Sequence, residues 1–151
     1  NRQLDSYAKG TSLDINCSCV RLLQDLSIQP VGLFIVDIRF RRKDFKNLRR
    51  FIHSLGISYT GISIFTPIPG TALYRQYEKR LITRDPEKWD FMHLVVPPVH
   101  LSIFRFYLEY FLLVMDLFRL AQKKGIYKFL RLNDYKHIFR KLLFQEGLRK
   151  N

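Results

Sequence analysis

The chain has 151 residues, 47% of them hydrophobic and 26% charged, which is enough for one ordinary domain with its own core and excludes a disordered tail. Twenty-six Lys and Arg against 13 Asp and Glu give a formal charge of +13, a bias toward phosphate-bearing partners or anionic lipid that specifies neither. Cys17 and Cys19, at C-x-C spacing, are too few for a disulfide framework and wrongly spaced for a zinc half-site, so no metal site is expected and a cytoplasmic compartment is favoured.

The first residues, Asn1 to Lys9, show no charged-then-apolar signal pattern and no initiator Met, as expected of a chain that starts inside a longer protein. From about Thr11 to Leu26 a helix is expected: Ser12 or Asp14 can cap it, and Ile15, Val20, Leu22, Leu23 and Leu26 form a broad apolar face. Val31-Gly32-Leu33-Phe34-Ile35-Val36 follows, short and almost unbroken in apolar character, which points to a parallel-sheet strand covered on both faces. Between Arg41 and Leu55 the apolar residues Phe45, Leu48, Phe51, Ile52 and Leu55 recur at helical spacing with cations between them, and Gly56 is placed to end that helix. Ile57 to Phe65 reads as a second strand, so the order helix, strand, helix, strand gives an α/β class.

Thr66-Pro67-Ile68-Pro69-Gly70-Thr71 must be a rigid turn, because two prolines remove donors and fix φ while Gly70 allows positive φ. A short helix from Ala72 to Arg80 and a loop from Leu81 to Asp90, with Asp85 capping before Pro86, come next. After Pro97-Pro98, Leu101 to Gln122 is apolar almost all round. Arg105, Glu109, Asp116 and Arg119 interrupt it about once per turn, which favours a packed helix, leaves an interfacial membrane helix open, and disfavours a span, which needs about 20 residues with few charges. Tyr135 to Arg149 reads as a last helix with Ile138, Phe139, Leu142, Leu143 and Leu148 on one side.

Three stretches taken together resemble the C-terminal part of radical S-adenosylmethionine (radical SAM) proteins of the group with an N-terminal cobalamin (B12)-binding domain. They are Leu4-Asp5-Ser6-Tyr7-Ala8-Lys9 with Asn16; Val31 to Asp37 with Asp44, Phe45 and Leu48; and Gly61-Ile62-Ser63-Ile64-Phe65-Thr66-Pro67-Ile68-Pro69-Gly70-Thr71-Ala72-Leu73-Tyr74. Leu81-Ile82-Thr83 and Trp89-Asp90-Phe91-Met92-His93 resemble the segment that follows in that family. The resemblance covers roughly residues 1 to 110, and Thr-Pro-x-Pro-Gly-Thr at a strand exit is its most specific piece.

The resemblance implies a half of a partial TIM barrel over residues 1–96, with parallel strands, and an all-helical extension over residues 97–151. It also implies cofactors for the complete protein: S-adenosylmethionine, a 4Fe-4S cluster and cobalamin. Ligands of parallel α/β sheets sit beyond the strand C-termini, so Phe34, Ile35, Val36 and Asp37, with Thr66, Pro67, Pro69 and Gly70, are the implied cofactor-binding residues. His93, Lys9 and Asn16 are the implied substrate-side residues, although a packed or hydrogen-bonded His and surface or capping roles for Lys9 and Asn16 are the simpler readings.

One departure matters for the chemistry. The family's cluster is held by three cysteines at C-x₃-C-x₂-C, and Cys17-Ser18-Cys19 is one thiolate short and wrongly spaced. The chain therefore reads as a fragment or C-terminal portion of a radical SAM enzyme, a cobalamin-dependent methylase being one form, inactive alone and needing a partner in cis or trans that carries the cobalamin domain and the cluster-binding half barrel. The alternative from a different class is a non-enzymatic, basic peripheral membrane protein, motivated by Leu101 to Gln122 and the basic tail. Nucleic-acid binding is disfavoured, since no helix-turn-helix, zinc-finger or RNP pattern accompanies the charge.

Overall fold

The computed structural model describes residues 12–126. Its elements run α1 (Leu13–Asp25), β1 (Val31–Val36), α2 (Arg42–Leu55), β2 (Tyr59–Ile64), α3 (Ala72–Tyr77) and α4 (Ile103–Lys123), with 3₁₀ turns at Glu78–Arg80 and Pro86–Lys88. Each main helix starts where a side chain can take up an orphan amide. Ser12 Oγ accepts from the Ile15 amide, Thr71 Oγ1 from Tyr74 and Ser102 Oγ from Arg105, while the Asp44 carboxylate accepts the Arg41 amide at the start of α2. At the other end of α2, Gly56 takes a left-handed φ of 65° that a side chain would strain. The last carbonyls of α2 are capped from both neighbouring helices, Gln24 Nε2 donating to Leu55 O and Lys124 Nζ to Gly56 O.

β1 and β2 pair in parallel, in the register Val31↔Tyr59 through Val36↔Ile64, so both strands present their carboxyl ends on the same side. The expected α/β class and the expected parallel adjacency are therefore observed. Phe34, Val36, Ile62 and Ile64 face the helices: Phe34 meets Phe51 edge to face at 6.5 Å, and Val36 and Ile64 join Phe45, Ile52, Phe106, Leu113 and Leu117 in one core. Phe106 is fully buried and packs edge to face on Phe45 at 5.4 Å; burial of such a ring contributes roughly 2–3 kcal/mol. This core spans the position between residues 96 and 97, since α4 supplies three of those side chains.

One expectation fails, for lack of described partners. β1 is not covered on both faces: Val31, Leu33 and Ile35 point away from the helices, and Leu33 is 82% exposed. Likewise α1 buries no residue, and Ile15, Leu22 and Leu26 of its apolar face lie in solvent. An apolar run reports that a surface seeks cover, not that the same stretch of chain provides it.

Three of the four charges that interrupt α4, Arg105, Glu109 and Asp116, have polar partners, and Arg119 is exposed. Glu109 takes Arg42 and Arg105, and Asp116 accepts from or pairs with His53 at 2.7 Å. No helix among the described residues is long and apolar enough to cross a membrane. The expected helix at Tyr135 to Arg149 lies outside the described residues, as does the Leu4 to Lys9 stretch.

Candidate functional site

The strand exits form a stiff, internally bonded platform. After β1, both Asp37 carboxylate oxygens are held by Arg39: Oδ1 accepts from the Arg39 amide at 2.8 Å and Nε at 2.9 Å, and Oδ2 from Nη2 at 2.8 Å. Asp37 is buried while Arg39 reaches solvent. The pair thus fixes the turn and turns the guanidinium into the polar group that this exit shows to water.

After β2, the Phe65 amide still donates to Val36 O at 2.9 Å, so the two exits stay locked side by side. Thr66 Oγ1 donates back to Ile64 O, Pro67 O accepts Trp89 Nε1 at 3.0 Å, and Ile68 O accepts both the amide and the hydroxyl of Thr71. Pro67 is buried, whereas Pro69 and Gly70 are exposed, Gly70 at a φ of 86°. The turn is rigid as the two prolines and the glycine require.

The sheet itself has two unequal edges. On β2 the outer edge is covered by the chain: Ile64 N donates to Phe91 O at 2.7 Å, and Tyr110 Oη donates to Ile62 O at 2.9 Å. On β1 the Val36 carbonyl is turned inward to Phe65, and strand alternation turns the amides and carbonyls of Leu33 and Ile35 outward. No described residue pairs with that outer edge. The helix-free face carries Val31, Leu33 and Ile35 opposite Tyr59, Gly61 and Ser63. Leu33 lies so close over Gly61 that a Cβ there would come within 2.9 Å of its methyl.

Around the covered edge lies a groove of about 410 Å³, bounded by Gly61 and Ser63, by Asp90 and Phe91, and by Tyr110 and Phe118 of α4. Asp90, which lines it, pairs with His93, Nδ1 to Oδ2 at 2.8 Å. Asp90 also accepts the Met92 and His93 amides through Oδ1. Burial raises the Asp90 pKa, but the Met92 amide, the His93 imidazole and the His93 amide outweigh it and hold the carboxyl below its ordinary value. The same loop puts Phe91 at a φ of 63°, a strained conformation for an aromatic residue. Tyr110 is pushed above the usual phenol value, chiefly by burial and then by Asp90 and Tyr107.

Of the residues singled out in the sequence, Asp37 and Thr66 are brought together at adjacent exits. Ile35 projects on the open face, whereas Phe34 and Val36 send their side chains into the helix-facing core, leaving them only backbone to offer there. His93 is bonded to Asp90 and is not among the residues that line the β2 groove, Asn16 is exposed on α1, and Lys9 lies outside the described residues. Sequence reasoning missed Asp90 and Ser63 as site residues, and the clasp of Arg39 on Asp37. The i,i+3 spacing of Asp90 and His93 was the available signal for the first of these.

Cys17 and Cys19 do not suit an iron–sulfur cluster. Both lie on α1, two residues apart, so their Cβ directions are about 160° apart around the helix axis. Among the described residues no group of three His, Cys, Asp or Glu could hold a metal ion.

No protein-family model matches the chain, and no solved structure matches it. The chain is 29% identical over 94 residues to a hopanoid C-3 methylase of Methylococcus capsulatus. That similarity covers 62% of this chain and 18% of the methylase, so the chain spans less than a fifth of the length of that relative.

Proposed function

We propose that this chain is a portion of a radical SAM methylase of the cobalamin-dependent kind, contributing the last two strands of a partial TIM barrel and part of the wall of a nucleoside cavity. The observation that carries the reading is the parallel β1–β2 pair, whose carboxyl ends share one side and whose two edges are treated differently. The chain covers the β2 edge itself, as suits a terminal barrel strand, and leaves the β1 edge for a preceding strand. Similarity to a methylase supports the same reading.

In that role the residues divide by position. Ile35 and Ser63 would offer side chains to a ligand on the open face, Gly61 would allow close backbone approach, and the Thr66 to Gly70 turn would offer rigid backbone groups. Asp37 is a positioning residue that aims Arg39 at the strand exits. S-adenosylmethionine, when bound, supplies the methyl group or the adenosyl radical. The two cysteines here do not fit the cluster, so reductive chemistry belongs to a part of the complete protein with three suitably spaced thiolates, and cobalamin to its separate domain.

The test is a chimera in which the matched 94-residue segment of the Methylococcus capsulatus methylase is replaced by the corresponding segment of this chain. A folded, cluster-loaded chimera that still cleaves S-adenosylmethionine under reducing conditions is expected. One that folds and loads its cluster but shows no cleavage would refute the assignment.

A further inference from the structure

On the side of α4 away from β2, a groove of about 150 Å³ separates α2 from α4. Arg42, Lys46 and Arg49 of α2 and Arg105 of α4 surround it, with Phe45 and Leu113 among its apolar lining residues and Glu109 as its one carboxylate. Four cations to one anion leave a strong positive excess, and Arg42 and Arg105 already share that anion. Directly alongside, α4 turns a stripe of apolar side chains to solvent: Phe104, Phe111 and Leu112 recur at helical spacing, 78%, 49% and 49% exposed, with Leu108 and Met115 half-buried beside them. Leu112 belongs to both features, so the stripe and the cationic groove form one surface.

An amphipathic helix with large apolar side chains outward and cations along its flank has the composition of an interfacial element. We propose that the α2–α4 face docks on an anionic lipid surface, with Phe104, Phe111 and Leu112 entering the acyl boundary and Arg49 and Lys46 meeting headgroup phosphates. Charge selects this occupant. The segment 127–151 carries seven Lys and Arg against two Asp and Glu, so it would be repelled by the groove, as would a second copy of a chain with a formal charge of +13. A nucleic acid would satisfy the cations but would leave aliphatic Leu108, Leu112 and Met115 without a role.

The proposal is tested on the full chain by sedimentation with vesicles of phosphatidylcholine alone and with about 30% phosphatidylglycerol added. Recovery with the anionic vesicles should exceed that with neutral ones by at least about tenfold and should fall with salt. Phe104→Ser/Phe111→Ser and, separately, Lys46→Glu/Arg49→Glu should each lower binding by at least about tenfold, while circular dichroism and melting stay as in the unaltered chain, since these side chains lie at the surface. Equal recovery on neutral and anionic vesicles would overturn the proposal without recourse to any variant. So would folded variants that bind as before, a concentration-dependent dimer that the Phe104→Ser/Phe111→Ser change dissolves, or cross-links from Lys46 into residues 127–151 that shield the stripe.

Discussion

The carboxylate of Glu109 lies 8% exposed on α4 and receives the Arg42 guanidinium from α2 at 3.0 Å, with Arg105 adding a second contact from one turn away at 2.8 Å. Because two cations serve one buried anion, losing either should matter little, and losing both should matter a great deal. Arg42→Ala or Arg105→Ala is expected to cost below about 1 kcal/mol, and the double variant about 3 kcal/mol, since an unpaired buried charge then remains. Urea denaturation of the two single variants and the double variant checks this by its departure from additivity.

Two glycines in the sheet should respond unequally to the same change. A Cβ on Gly32 would come within 2.6 Å of the Phe34 ring and 3.3 Å of Ile57, both on the packed side, whereas at Gly61 it meets only the exposed Leu33 side chain. Gly32→Ala should destabilise by about 1–3 kcal/mol, and Gly61→Ala by no more than about 0.5 kcal/mol. Thermal melting of both variants distinguishes a packed face from an open one.

Asp90 gives a pH signature. Its carboxyl is held below the ordinary value in the folded chain, so its contribution to stability is complete above about pH 4 and is lost as pH falls through the lower folded value. With about a third of the side chain exposed, that contribution should stay below about 0.5 kcal/mol. Asp90→Asn should therefore be slightly less stable at pH 7 and converge on the unaltered chain toward pH 2, as denaturation midpoints across that range would show.

Tyr110→Phe removes the hydroxyl that covers the Ile62 carbonyl on the β2 edge. A loss of about 1 kcal/mol is expected, and faster amide exchange should be confined to β2 and residues 90–92.

The parallel pair, the capped start of α1 and the rigid exit turn were legible in the sequence because each rests on local chemistry: strand-length apolar runs, Ser12 before helical spacing, and Pro67, Pro69 and Gly70 in one turn. What was not legible depended on distant partners. Val31, Leu33 and Ile35 look like core residues in a string, yet what covers a strand face is decided by elements far along the chain or beyond it. Glu109 reads as an interruption of an apolar helix until Arg42, 67 residues earlier, is seen beside it. The candidate site was legible in part: Asp37 and Thr66 were recognisable as strand-exit residues, but the Arg39 clasp on Asp37 and the pairing of Asp90 with His93 needed the fold.

The outer edge of β1, which pairs with no described residue, is measured most directly by amide hydrogen exchange at Leu33 and Ile35, in the free chain and in the chimera carrying the cluster-binding half. Fast exchange at both amides in the free chain, slowed by at least about tenfold in the chimera, is the expected result. Strong protection of these amides in the free chain, or equally fast exchange in both, would contradict an edge left open for a preceding barrel strand.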